Sequence, residues 1–119
     1  MKKLSLQEEE AMQVIWQTGG GVIKDFLELL PDPHPPYTTL ASTVKNLEKK
    51  GYVTSRKTGN TYWYEPALPE SEYKRSFMSG FVQDYFKDSY KELVTFFAKD
   101  QKISSEELKE IIEMIEKKK

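Results

Sequence analysis

The 119-residue chain contains no cysteine, which excludes both a disulfide-stapled scaffold and a thiolate metal site. Its one histidine, His34, lies between Pro33 and Pro35. No Ser–His–Asp set can be built around it, and surface decoration is the plainer role for a loop histidine. No apolar run approaches the roughly 20 residues that span a bilayer. Met1-Lys2-Lys3-Leu4-Ser5 is basic but has no apolar core after it, so it does not read as a secretory signal. The expectation is a cytoplasmic protein without membrane insertion. Phosphate-loop and dinucleotide glycine patterns are both missing, since Gly19-Gly20-Gly21 has neither the lysine nor a preceding strand. Glu8-Glu9-Glu10 and Glu106-Glu107 stand at helix starts, where acids favour the dipole, rather than as a catalytic carboxylate pair. The sequence thus points to no enzyme, no cofactor and no metal.

Net charge is −1, but the charges are unevenly placed. Between Thr38 and Tyr62 stand Lys45, Lys49, Lys50, Arg56 and Lys57, with Glu48 as the sole acid. The remaining 13 basic residues face 18 acids. A locally basic face on a nearly neutral body suits contact with phosphates. A solvated face with clustered cations would show the same total, so charge alone does not decide.

Ser5-Leu6-Gln7-Glu8 is a capping box, and Leu6, Ala11, Val14 and Ile15 continue as a helical stripe to about Gln17. The glycines at 19–21 end it. Val22, Ile23, Phe26, Leu27 and Leu30 predict a second short helix, broken by the proline-rich segment 31–36. A third helix is predicted from about Thr39 to Lys50, stopped by Gly51. Leu40, Val44 and Leu47 face inward on it. Thr38, Ser42, Lys45, Asn46 and Lys49 point the other way. That outward face carries hydroxyls, an amide and ammoniums but no acid. Such groups hydrogen-bond base edges and phosphates, whereas a merely solvated face usually mixes in acids.

Segments 52–57 and 61–66, β-branched and aromatic, flank Thr58-Gly59-Asn60 and read as a hairpin, with Arg56 and Lys57 at its entry and Asn60 at its tip. Three helices followed by a basic hairpin make a winged helix–turn–helix. Tyr62, Trp63 and Tyr64 could stack on bases, but packing against the helices is the more economical role.

Beyond Pro69 one glycine and no proline occur. Tyr73, Phe77, Phe81 and Tyr85 repeat at four-residue intervals, flanked by Met78, Val82 and Phe86, and Tyr90, Leu93, Val94 and Phe97 form a second stripe. Ser104 and Glu107 form another capping box, followed by Leu108, Ile111, Ile112 and Ile115. Three short helices cannot bury this much apolar surface among themselves. The simplest partner layer is a second copy of the chain; folding back on the N-terminal half is the alternative. The expected architecture is mainly α with a small β-hairpin wing. It comprises a winged-helix DNA-binding domain over residues 1–68 and a helical dimerisation domain over residues 69–119.

Leu4-Ser5 through Glu8, Val14-Ile15-Trp16, Thr38-Thr39-Leu40, Leu47, Lys49-Lys50-Gly51-Tyr52-Val53, Gly59-Asn60, Tyr64 and Pro66 together resemble the penicillinase-repressor family of BlaI/MecI type, over nearly the whole chain. The resemblance implies a dimeric repressor of palindromic operators, often beside resistance or stress genes. Release would follow when a membrane sensor-protease system cuts the C-terminal region. On the family's pattern Thr39 and Ser42 take the places of recognition-helix hydroxyls. Asn46 stands where arginine is frequent and Ala41 where a longer polar residue is frequent, which alters the operator read rather than the mode of binding. The cleavage position aligns with Phe96-Phe97, where antibiotic-responsive members carry Asn-Phe; both phenylalanines also suit plain packing. The paired cysteines of copper-sensing relatives are missing.

These readings converge on a homodimer bound to a double-stranded DNA operator. Thr38, Thr39, Ser42, Lys45 and Asn46 are the candidates for base or phosphate contact, and Lys49, Lys50, Arg56, Lys57 and Asn60 for holding the backbone. Dimer contacts are assigned to Tyr73, Phe77, Phe81, Tyr85, Leu93, Phe97, Leu108, Ile111, Ile112 and Ile115. Two rivals remain: a winged helix that grips a protein, and a ligand-sensing regulator with a pocket between the dimer helices.

Overall fold

In a computed structural model that describes residues 2–117, the chain forms two compact units, one up to Lys74 and one from Arg75 onward. The first contains α1 (Leu6–Thr18), α2 (Ile23–Leu29), α3 (Tyr37–Lys49) and an antiparallel hairpin of β1 (Val53–Thr58) and β2 (Thr61–Pro66). It also holds the first turn of α4 (Glu70–Phe86). The second contains the rest of α4, then α5 (Tyr90–Lys99) and α6 (Ser105–Lys117). The winged helix–turn–helix reading of the N-terminal half matches this element order.

Ser5 caps α1 through the full reciprocal box: its hydroxyl accepts from the Glu8 N–H at 3.2 Å, and its own N–H donates to Glu8 Oε1 at 2.7 Å. Glu8 is buried, whereas Leu6, counted in the apolar stripe, is three-quarters exposed. The capping geometry turns the carboxylate inward, where Lys50 Nζ donates to it at 2.7 Å. Burial pushes the Glu8 carboxyl up, but its bonds to Lys50 and Ser5 outweigh that and hold it below the usual carboxylate value. A depressed folded-state value stabilises the fold above the ordinary carboxylate range and loses that stabilisation as pH falls through the folded value. The stability difference between the unmodified chain and Glu8→Gln is therefore expected to be constant above about pH 5 and to shrink below about pH 4.5, measured by urea unfolding across pH.

Leu40, Thr43, Val44 and Leu47 form the buried side of α3. Leu40, Val44 and Leu47 pack with Ala11, Met12 and Ile15 of α1, Ile23 and Phe26 of α2, and Tyr52, Val53 and Tyr64 from the hairpin region. α3 begins at Tyr37, two residues before the predicted start, because Pro36 occupies the N-cap position with φ −58° and ψ 148°. Its C-terminus closes as a Schellman motif. The Tyr52 N–H donates to the Leu47 carbonyl and the Gly51 N–H to that of Glu48, both at 3.0 Å. Gly51 supplies the required left-handed residue at φ 87°, in open space. Gly51→Ala is expected to cost about 1–2 kcal/mol from backbone conformation alone, read as a lower urea midpoint at unchanged slope.

The glycine run does more than end α1. Gly21 pairs with Tyr64 as a single antiparallel bridge, its N–H donating to the Tyr64 carbonyl at 2.9 Å and its carbonyl accepting from the Tyr64 N–H at 2.8 Å. Gly20 makes this approach possible, since a Cβ there would lie 2.8 Å from Trp63 Nε1.

In the second unit Val82 and Leu93 are the buried hydrophobic residues among those described. Lys87, Asp88 and Gln101 take positive φ in the interhelix turns. Ser104 and Glu107 form the second capping box as read from the sequence. A ladder of rings runs from Phe77 through Phe81 and Phe86 to Phe96, with centroid separations of 5.8–6.5 Å.

The unit boundary falls after Lys74 rather than after residue 68. Trp16 Nε1 donates to the Leu68 carbonyl at 2.8 Å, and Tyr73 packs against Trp16 and Tyr52 at 5.3 and 5.9 Å. Tyr73, assigned to the dimer contact, thus serves the core of the first unit. Burial first, and the Glu9 carboxylate second, push its phenol up to about 12. Leu93, also assigned there, is interior to the second unit, while Phe81 and Leu108 are half-buried.

Candidate nucleic-acid interface

Thr38, Thr39, Ser42, Lys45, Asn46 and Lys49 all lie exposed on α3, opposite the buried Leu40–Val44–Leu47 stripe. The early start of the helix places Thr38 inside its first turn and adds an exposed aromatic, Tyr37, as its first residue. Tyr37 escaped the sequence reading because no side-chain cap marks the true start; the signal was Pro36, which cannot continue a helix backward but can open one.

The hairpin carries the second group. Arg56 and Lys57 stand opposite Trp63 and Tyr62 in the ladder, so they project to opposite faces of the ribbon. The Arg56 guanidinium sits 5.8 Å from the centre of the Trp63 ring, a cation–π contact that orders its long side chain. Gly59, at φ 62°, and Asn60 make the two-residue turn. Ser55 Oγ donates to Glu48 Oε2, joining β1 to the end of α3. Of the three aromatics of β2, Tyr64 packs into the core as expected and Trp63 is half-buried, while Tyr62 is half exposed.

Two acids are engaged within the fold: Glu48 accepts from Ser55, and Glu8 pairs with Lys50. Lys50 is the exception among the assigned backbone contacts. Its ammonium is committed to Glu8 and to the Lys3 carbonyl at 3.0 Å, so it braces the fold instead of reaching outward. No sequence rule links Lys50 to Glu8, which lies 42 residues earlier. Lys45, Lys49, Arg56 and Lys57 remain exposed, without an ion-pair partner among the described residues. The resulting surface is a polar, acid-free helix face beside a cationic ribbon, chemically matched to a polyanion with hydrogen-bonding edges.

Residues 4–117 match the penicillinase repressor family. The chain belongs to that family. Among its relatives is the methicillin resistance regulatory protein MecI of Staphylococcus aureus strain N315, 24% identical over 120 residues, covering 98% of this chain and 95% of MecI. The penicillinase repressor of Bacillus licheniformis is 27% identical over 123 residues, covering 100% of this chain and 96% of that protein. Among solved structures, the DNA-binding domain of the repressor BlaI superposes with a TM-score of 0.53 at 31% identity, covering 61% of this chain and 94% of that domain.

Phe96 and Phe97, the candidate cleavage position of the sequence reading, lie in the C-terminal half of α5. Both side chains are substantially exposed. Their carbonyls accept from the Asp100 N–H at 3.1 Å and the Lys102 N–H at 2.9 Å, so the end of α5 has to open before a protease could engage this peptide as an extended strand. No helix among the described residues is long and apolar enough to cross a membrane.

Proposed function

We propose that this penicillinase-repressor family member is a homodimeric transcriptional repressor that binds palindromic operator DNA. One observation carries the reading: the exposed face of α3 bears hydroxyls, an amide and ammoniums without an acid, beside a cationic hairpin, in a fold shared with the DNA-binding domain of a repressor. α3 enters the major groove, where Thr38, Thr39, Ser42, Lys45 and Asn46 meet base edges or phosphates. Lys49, Arg56, Lys57 and Asn60 hold the backbone on either side.

The second unit supports pairing of two copies. Phe77, Tyr85, Tyr90, Phe96, Ile112 and Ile115 are each more than half exposed, an apolar surface out of keeping with a solitary helical unit. A two-fold axis between copies places two α3 helices on half-sites related by the same symmetry, separated by about one helical turn or a multiple of it. Transcription is blocked by occupancy of the operator.

The test is fluorescence anisotropy of the purified protein on duplex DNA from upstream of its own gene, against a scrambled duplex, across a salt series. Sequence-selective binding that weakens steeply with salt supports the reading, and the slope counts the phosphates engaged. Binding of equal weakness to both duplexes would overturn it for that site.

A further inference from the structure

The main chain at the N-terminal end of the first unit is fastened beside the C-terminal half of α3. The Tyr52 hydroxyl donates to the Lys2 carbonyl, and Lys50 Nζ donates to the Lys3 carbonyl at 3.0 Å. Both clasps use backbone oxygens, so the Lys2 and Lys3 side chains stay exposed. Between this segment, the start of α1 and the end of α3 lies an open concavity of about 500 Å³, lined among others by Lys2, Ser5, Gln7, Asn46 and Lys49. Glu8 also lines it, but its carboxylate is buried and neutralised by Lys50. Lys2 and Lys49 have no ion-pair partner among the described residues. The backbone of this segment is thus fixed where Lys2 lines the same concavity as Lys49, Asn46 and Gln7.

We infer that Lys2, whose carbonyl is held by Tyr52 next to the Lys3 carbonyl held by Lys50, forms with Lys49 and Asn46 a second phosphodiester-binding site that grips the backbone of the same duplex α3 reads. This rests on the DNA-binding reading above. Its ligand is a phosphodiester for two reasons. Two ammoniums and two side-chain amides present donors to an anion with several acceptor oxygens. The site is also continuous with the proposed interface, since Asn46 and Lys49 belong both to the outward face of α3 and to the concavity. A duplex lying against α3 therefore brings its backbone to Lys2 without any change in the protein. The contact is blind to sequence: it adds affinity and fixes the tilt of the helix in the groove.

Lys2→Gln, Lys49→Gln and a control with the same charge change on α6, Lys109→Gln, are compared with the unmodified chain by anisotropy on a random-sequence duplex of about 30 base pairs from low to moderate salt. Loss of one phosphate contact is expected to flatten the slope of log K against log salt by about 0.9 per protomer for Lys2→Gln and for Lys49→Gln. Lys109→Gln is expected to keep the slope. On the upstream and scrambled duplexes, Lys2→Gln lowers both affinities by the same factor, leaving selectivity intact. An unchanged slope for Lys2→Gln, beside a steep slope for the unmodified chain, would overturn this site alone. Absence of salt-dependent duplex binding by the unmodified chain would overturn the DNA-binding reading and this site with it.

Discussion

Lys45→Glu is expected to weaken binding to the upstream duplex by about 100-fold or more while leaving the fold and the oligomeric state unchanged. Lys45 stands in the middle of α3, exposed and without an ion pair among the described residues, so the native state loses nothing when it is replaced. At the interface the change is severe. A good base or phosphate contact by a basic side chain is worth about 1–3 kcal/mol. The proposed dimer would lose two of them, about 2–6 kcal/mol, before the repulsion between each new carboxylate and the phosphates is added. Anisotropy measures the affinity, and circular dichroism melting and sedimentation establish that nothing else has moved. Undiminished affinity in a folded dimer would remove α3 from the interface.

The second large effect is expected from Ile112→Asp combined with Ile115→Asp. α6 has no buried residue, and Ile111, Ile112 and Ile115 are 44–56% exposed on a helix otherwise rich in charge. A helix of this kind presents one apolar stripe that needs a partner layer. Two carboxylates placed in that stripe on each copy oppose burial that contributes about 1.5–3 kcal/mol per isoleucine. The variant is expected to sediment as a monomer, and its operator affinity to fall by about 10²–10⁴, the gain that linking two half-site readers confers. Phe81→Asp is a less clean probe. Phe81 is half-buried and touches Tyr85 at 5.0 Å and Phe86 at 5.9 Å, so its loss disturbs the unit itself. A persistent dimer of the double variant would move the contact off α6.

Local signals were legible from residues alone. The capping boxes at Ser5–Glu8 and Ser104–Glu107, the glycine stop at 51, the hairpin and the exposed face of α3 depend on neighbours within a few positions, and each forms as read. What escaped was non-local. Gly20 and Gly21 read as breakers because only the fold reveals that Tyr64 lies alongside. Lys50 read as one more cation on a basic helix because its partner arrives from the other end of the unit. The four-residue repeat of Tyr73, Phe77, Phe81 and Tyr85 looked like one stripe with one purpose. Periodicity reports which side of a helix is apolar, not what covers it, and α4 gives Tyr73 to one unit and the later rings to the other. For the candidate interface, residue type and exposure were readable on α3, whereas the role proposed for Lys2 depends on a hydroxyl that holds its own carbonyl and an ammonium that holds that of Lys3.

The near-absence of an interior in the second unit has a further consequence. A unit in which Val82 and Leu93 are the buried apolar side chains among the described residues gains little from folding alone, so its stability is set by whatever covers its surface. When that cover is another copy, the folding free energy acquires a logarithmic dependence on protein concentration. The melting temperature then rises with each dilution undone, and falling abundance makes every remaining molecule easier to unfold and degrade. Supply of the protein and survival of the protein become a single variable, and a modest drop in synthesis is amplified into a sharper loss of occupied operators.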